Sequence, residues 1–158
     1  MDVPDTKKIY DANGVYAKAE NYCAYQERSK QEVRDKLEKW GLKPAETEAP
    51  IAKLVENNFL NEERFAIAYA TGKFNQKRWG RIKIKQGLKL KQVPDELIEK
   101  ALLQIDKDAY YQTLVKTIQK RVALLNEKDQ FRRHYHILHF ALSRGFEIDL
   151  IWEVLNEM

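Results

Sequence analysis

The run KFNQKRWGRIKIKQGLKLKQ, Lys73–Gln92, carries eight basic residues and no acidic one; the next acid in the chain is Asp95. Set on a helix at roughly 100° per residue, Ile84 and Leu88 share one side, and Trp79, Ile82 and Leu90 fall nearly opposite. Between them run Arg78, Arg81, Lys85 and Lys89 as a basic stripe, with Lys77 at its edge and Lys83 and Lys91 projecting elsewhere. A helix apolar on two sides and basic between them belongs in a small helical domain. One side meets its own core, another meets a neighbouring helix or a partner, and the stripe meets something negative. An ordinary solvated face mixes its signs to gain i,i+4 pairs, and this run does not.

The rest of the chain fits an all-α reading. Six Gly and four Pro, scattered singly through 158 residues, are too few for the turns of a β-sandwich. Apolar residues make up 44%, enough to build a core, and charged residues 33%. Net charge is +4, and its placement matters more than its size. Residues 1–60 carry 10 basic and 11 acidic groups, residues 61–105 carry 10 and 5, and residues 106–158 carry 8 and 8. The excess sits in the middle third, which points to a polyanion or an acidic protein surface there. Cys23 is alone, so an internal disulfide or a cysteine-rich metal site is excluded, and its place in an apolar helical pattern makes it a buried thiol. No secretory signal and no run of 18 apolar residues is present, so a cytoplasmic protein without a membrane span is expected.

Residues 1–11 read as a polar tail. A helical pattern follows through Val15, Ala19 and Tyr22. Ser29 with Glu32 forms a capping box for a second helix carrying Val33, Leu37 and Trp40, and Gly41 ends it. Pro44 and Pro50 bracket the start of a third, with Ile51, Leu54 and Val55. Asn61 caps a fourth, the basic run forms a fifth, and Pro94 opens a sixth whose core side is Leu97, Ile98, Ala101, Leu102 and Ile105. Three more carry Tyr111, Leu114 and Ile118; then Phe131, Tyr135, Leu138 and Leu142; then Ile148, Ile151, Trp152 and Leu155.

These nine helices group in threes. Gly41, Gln92 and Gly145 are equivalent points; four residues before them stand Leu37, Leu88 and Ala141, and eight before them Val33, Ile84 and Ile137. Such a period signals tandem helical units, each too small to bury its apolar face alone. The divisions are a tail at 1–11 and units at 12–60, 61–105 and 106–158.

No catalytic constellation assembles. His134, His136 and His139 do not share one helix face and have no HExxH context, so surface histidines are the simpler reading and no metal is expected. Gly72-Lys73 lacks the first Gly and the Ser/Thr of a phosphate loop, so nucleotide hydrolysis is not expected. No nucleophile, base and orienter come together, and no cofactor is implied.

Four stretches carry a family resemblance. RSKQEVRDKLEKWGL, Arg28–Leu42, resembles the first-repeat signature of the RecX family. FLNEERFAIAY, Phe59–Tyr69, is similar to that family's link into its second repeat, and WGRIKIKQGLKLKQV, Trp79–Val93, to the second repeat itself. SRGFEIDLIWEVL, Ser143–Leu155, resembles its closing repeat. Two departures stand out: Gln92 replaces the usual Gly ending the second-repeat helix, and Gly87 stands where the family has Glu. The resemblance implies three tandem three-helix repeats in an elongated, curved array. It also implies a non-enzymatic regulator of homologous recombination that binds the RecA–DNA filament, usually inhibiting its ATPase, strand-exchange and co-protease activities.

The expected contact residues are Arg78, Arg81, Lys85 and Lys89, then Lys73, Lys77, Lys83 and Lys91. Arg132, Arg133 and Arg144 form a secondary basic patch. The expected partners are the RecA filament and single- or double-stranded DNA, met by a monomer. Two alternatives stand beside it: a free-standing nucleic-acid-binding protein that uses the basic helix 77–91, and a plain protein-binding scaffold for which Arg81 and Lys85 would be dispensable.

Overall fold

In a computed structural model the chain is described from residue 3, and its side chains from residue 14. Among the described residues nine α-helices follow one another: α1 (Val3–Tyr25), α2 (Lys30–Lys39), α3 (Glu48–Glu56), α4 (Glu62–Gly72), α5 (Arg81–Leu90), α6 (Asp95–Leu103), α7 (Lys107–Leu124), α8 (Gln130–Ser143) and α9 (Ile148–Glu157). No strand occurs among the described residues. The polar tail expected over residues 1–11 falls largely within the first turns of α1, and its side chains lie outside the described ones.

Local chemistry sets the boundaries. The Ser29 hydroxyl accepts from the Glu32 N–H at 3.0 Å while the Glu32 carboxylate accepts from the Ser29 N–H at 3.0 Å, closing the capping box of α2. Asn61 caps α4 through the Arg64 N–H at 2.9 Å, and Asp106 caps α7 through the Ala109 N–H at 2.8 Å. Pro94 stands at the N-cap of α6.

The threefold spacing is physical. Gly41, Gln92 and Gly145 all adopt positive φ, at 110°, 59° and 94°. After each, an N–H reaches back across the helix end: Leu42 to the Leu37 carbonyl, Val93 to Leu88 and Phe146 to Ala141, at 3.0, 3.2 and 3.3 Å. The same αL closure thus ends α2, α5 and α8. At Gln92 a residue with a Cβ holds a conformation that glycine adopts freely, at a cost of about 1 kcal/mol. The helix stops after Leu90 all the same. The positions four and eight residues before each closure are all buried.

Two cores result. Val15, Ala19, Cys23, Val33, Leu37, Ile51, Leu54 and Leu60 form one, entirely from α1–α3 and the link to α4. The other is shared by α4–α9 and runs from Phe65 to Leu155. Cys23 lies in the first, and burial pushes its thiol up to about 11. In the second, Tyr110 is the central ring, with Phe74 at 5.8 Å and Phe146 at 5.3 Å between centroids. Gly87 has a packing reason, since a Cβ there would meet the Tyr69 phenol at 2.0 Å.

Several apolar assignments differ from expectation; Val55 on α3 and Ile148 and Trp152 on α9 are exposed, and three further helices depart from their patterns. On α8 the buried residues are Ile137 and Ala141, whereas Phe131 is 80% and Tyr135 54% exposed, because that side is covered only in part, by Trp152 of α9. On α5, Leu90 is 83% exposed and Ile82 is also open to solvent, so the second apolar side of that helix is not covered. On α7 the buried tyrosine is Tyr110 rather than its neighbour Tyr111, which is only partly covered.

Candidate functional site

The continuous basic helix expected over 77–91 does not form. After Gly72 the helix widens into a π turn, Lys73–Lys77, which points Phe74 into the core. Arg78 then takes the left-handed conformation, φ 57° and ψ 39°. Beyond it the Gly80 N–H donates to the Arg144 carbonyl at 2.8 Å and the Ile82 N–H to the Gly145 carbonyl at 3.0 Å. Donors that an unbroken helix would use internally are spent on the end of α8, so long-range pairing overrides the local pattern. The approach is close enough that a Cβ on Gly80 would meet the Gly145 carbonyl carbon at 2.3 Å.

The break sorts the eight expected contact residues into three groups. Arg81, Lys85 and Lys91 are neutralised from a distance, by Glu147 at 2.7 Å, Glu99 at 3.3 Å and Glu32 at 3.0 Å. Two of these, Arg81 and Lys85, were half of the expected stripe. Arg81 is held in place: its guanidinium lies 3.8 Å from the Tyr110 ring centre, its backbone N–H donates to the Tyr110 hydroxyl at 2.9 Å, and that hydroxyl donates in turn to Glu147. Burial, and then the bond to Glu147, push the Tyr110 phenol far up, so it keeps the proton it donates. This triad fastens the third unit to the second.

Lys73 and Lys83 form the next group, with their ammonium groups 5.0 and 4.7 Å from the half-buried Trp79 ring. Lys77, Arg78 and Lys89 make up the last; all three are exposed, with no carboxylate at ion-pair distance among the described residues.

Lys77 and Arg78 look across at α7 and the end of α8. There a groove of ≈ 720 Å³ is lined by these two residues together with Lys116, Lys120, Arg121 and Arg144, and no carboxylate among the described residues lines it. The Phe140 ring also lines it, with the Arg121 guanidinium 4.6 Å and the Arg144 guanidinium 5.2 Å from its centre. The Nε of Arg121 is buried and has no hydrogen-bond partner. Arg144, expected in a secondary patch with Arg132 and Arg133, belongs here instead; Arg133 lines a separate depression beside Lys128 and His134.

Lys116, Lys120 and Arg121 were not among the expected residues. Their signal is present in the sequence: no acid occurs from Ala109 to Asn126. A charge count over residues 106–158 conceals it, because acids at both ends of that span balance the total. Among the described residues no group of three or more His, Cys, Asp or Glu could hold a metal ion. His134 packs edge-on to Trp152 and His139 against Tyr135. No helix of the described residues is long and apolar enough to cross a membrane.

Comparison with known proteins agrees with this architecture. Residues 16–54 match the family described as RecX, first three-helix domain, and residues 61–102 match RecX, second three-helix domain. The regulatory protein RecX of Prosthecochloris aestuarii is 28% identical over 158 residues, 100% of this chain and 98% of that protein. That of Clostridium perfringens is 30% identical over 133 residues, 83% of this chain and 62% of its own length. That of Bacillus mycoides is 26% identical over 143 residues, and the chain spans about half of that relative, 53%. The crystal structure of RecX from Lactobacillus salivarius superimposes with a TM-score of 0.84 at 26% identity, covering 94% of this chain and 97% of that one. With both three-helix domains matched in order and the whole arrangement shared, the chain belongs to the RecX family of regulatory proteins.

Proposed function

We propose that the chain is a non-enzymatic regulator of homologous recombination that binds the RecA–DNA filament as a monomer and holds down its ATP hydrolysis, strand exchange and co-protease activity. The observation that carries this reading is the acid-free groove across two units of a tandem helical array, in a chain whose relatives are regulatory proteins. A filament of protein on DNA offers phosphates and protein surface side by side. An arm of repeated helices with a localised positive groove matches such a target by charge and by reach. The alternative of a free-standing nucleic-acid binder using the basic helix over 77–91 has only Arg81–Leu90 of that helix to use, because the chain turns at Arg78.

The test is direct. The intact chain is added to the cognate recombinase assembled on single-stranded DNA, and ATP hydrolysis is followed. Hydrolysis is expected to fall at substoichiometric to equimolar protein; an unchanged rate at several-fold excess refutes the proposal.

A further inference from the structure

We propose that the groove between the π turn, α7 and the end of α8 binds the phosphodiester backbone of a nucleic-acid strand. The inference deepens the regulatory reading above and rests on it for its biological setting, but the binding it describes stands on the groove alone.

Six cations reach the groove from three elements: Lys77 and Arg78 from the turn, Lys116, Lys120 and Arg121 from α7, and Arg144 from the cap of α8. None has a carboxylate at ion-pair distance among the described residues. Elsewhere the molecule pairs several half-buried cations with carboxylates, as at Arg34–Glu48, Arg64–Glu27 and Arg81–Glu147. Six like charges left facing one another repel, and an anion that enters relieves that repulsion.

Arg121 strengthens the case. Phe140 holds Arg121 and Arg144 against one ring, so both guanidinium groups are ordered before any ligand arrives. Ordered guanidinium forks suit oxyanions with several acceptor oxygens on one centre, which favours phosphate over isolated carboxylates. The extent of the site favours a polymer over a free anion. Lys116 and Lys120 stand one helical turn apart, about 6 Å along α7, with Arg78 and Arg144 on the opposing elements. One phosphate satisfies two or three such donors, whereas a strand passes a series of them.

The experiment uses the intact chain and a fluorescently labelled oligothymidylate, read by anisotropy across a salt series. Lys116 and Lys120 are both exposed, so Lys116→Gln with Lys120→Gln tests charge without disturbing the core; circular dichroism checks the fold. The double variant is expected to bind at least tenfold more weakly at about 50 mM salt and to lower the salt slope by roughly 1.4, at about 0.7 per phosphate released on a single strand. Lys85→Gln, at an already paired cation, is expected to leave both unchanged. Several results overturn the proposal: no binding by the unaltered chain at that salt, a double variant that binds as the unaltered chain does, or a loss confined to Lys85→Gln. Displacement of the oligonucleotide by inorganic phosphate alone at low millimolar concentration makes the groove a simple anion site, and displacement by polyglutamate as effective as by unlabelled oligonucleotide makes it an acidic-protein site; either overturns it too. Because no recombinase is present, this outcome is independent of the ATPase assay, and either reading can fail while the other survives.

Discussion

The two joints between the three units are built on opposite principles. Between the second and third units, backbone meets backbone at Gly80 and Gly145, one apolar core runs through both, and Arg81, Tyr110 and Glu147 form a half-buried triad. Between the first and second, the described links are polar: Glu27 with Arg64, the Lys30 N–H with Glu62, and Glu32 with Lys91. Neither core shares a buried side chain with the other. The first kind of joint fixes an angle; the second has no shared apolar core and tolerates adjustment, because partly exposed ion pairs contribute modestly and are screened by salt. The groove spans the fixed joint. Its six cations come from both sides of it, so their mutual spacing depends on that angle being held.

Three substitutions test the contrast. The largest effect is expected at Gly80→Ala, whose methyl has no room against the Gly145 backbone. A loss of about 3 kcal/mol or more is expected for the joined units. The first core should melt at its former temperature, so that a thermal scan by circular dichroism separates into two steps. A single unshifted transition would mean that the close approach is not what holds the units together. Next comes Tyr110→Phe, which keeps the ring contacts with Phe74 and Phe146 but leaves the Arg81 N–H and the Glu147 carboxylate without their shared partner. Urea unfolding should show a loss of about 2 kcal/mol. The smallest effect is expected at Arg64→Ala, which removes the Glu27 pair and the bonds to Asn58 at the polar joint. The cost is about 1 kcal/mol at low salt, most of it gone at high salt. If this loss equals that of Tyr110→Phe and resists salt, the two joints do not differ in kind.

The sequence made the repeat legible because closure of each unit depends on local chemistry. A capping box, a proline at a helix start and an αL residue at a fixed distance from two buried positions are all written within a few residues. Even Gln92, with the wrong residue type for the conformation, kept its place in the spacing. The site was legible only in part, for a corresponding reason. A run without acids marks excess charge, but which cations stay free depends on carboxylates that lie far away in the chain, such as Glu147 for Arg81 and Glu32 for Lys91. The turn at Arg78 was hidden for the same cause, since the donors of Gly80 and Ile82 are claimed by carbonyls more than sixty residues later. Phe131 and Tyr135 show the converse: correct helical spacing predicts a face, not whether anything covers it.

The ring cluster of Phe74, Tyr110 and Phe146 has a bearing on biosynthesis. The first core holds all its side chains once residue 60 has left the ribosome, whereas the second waits for Leu155. At ordinary elongation rates that interval is on the order of ten seconds. Throughout it the walls of the cationic groove have no fixed separation. The nascent chain therefore reaches completion beside a great mass of ribosomal RNA before its own cationic groove is assembled.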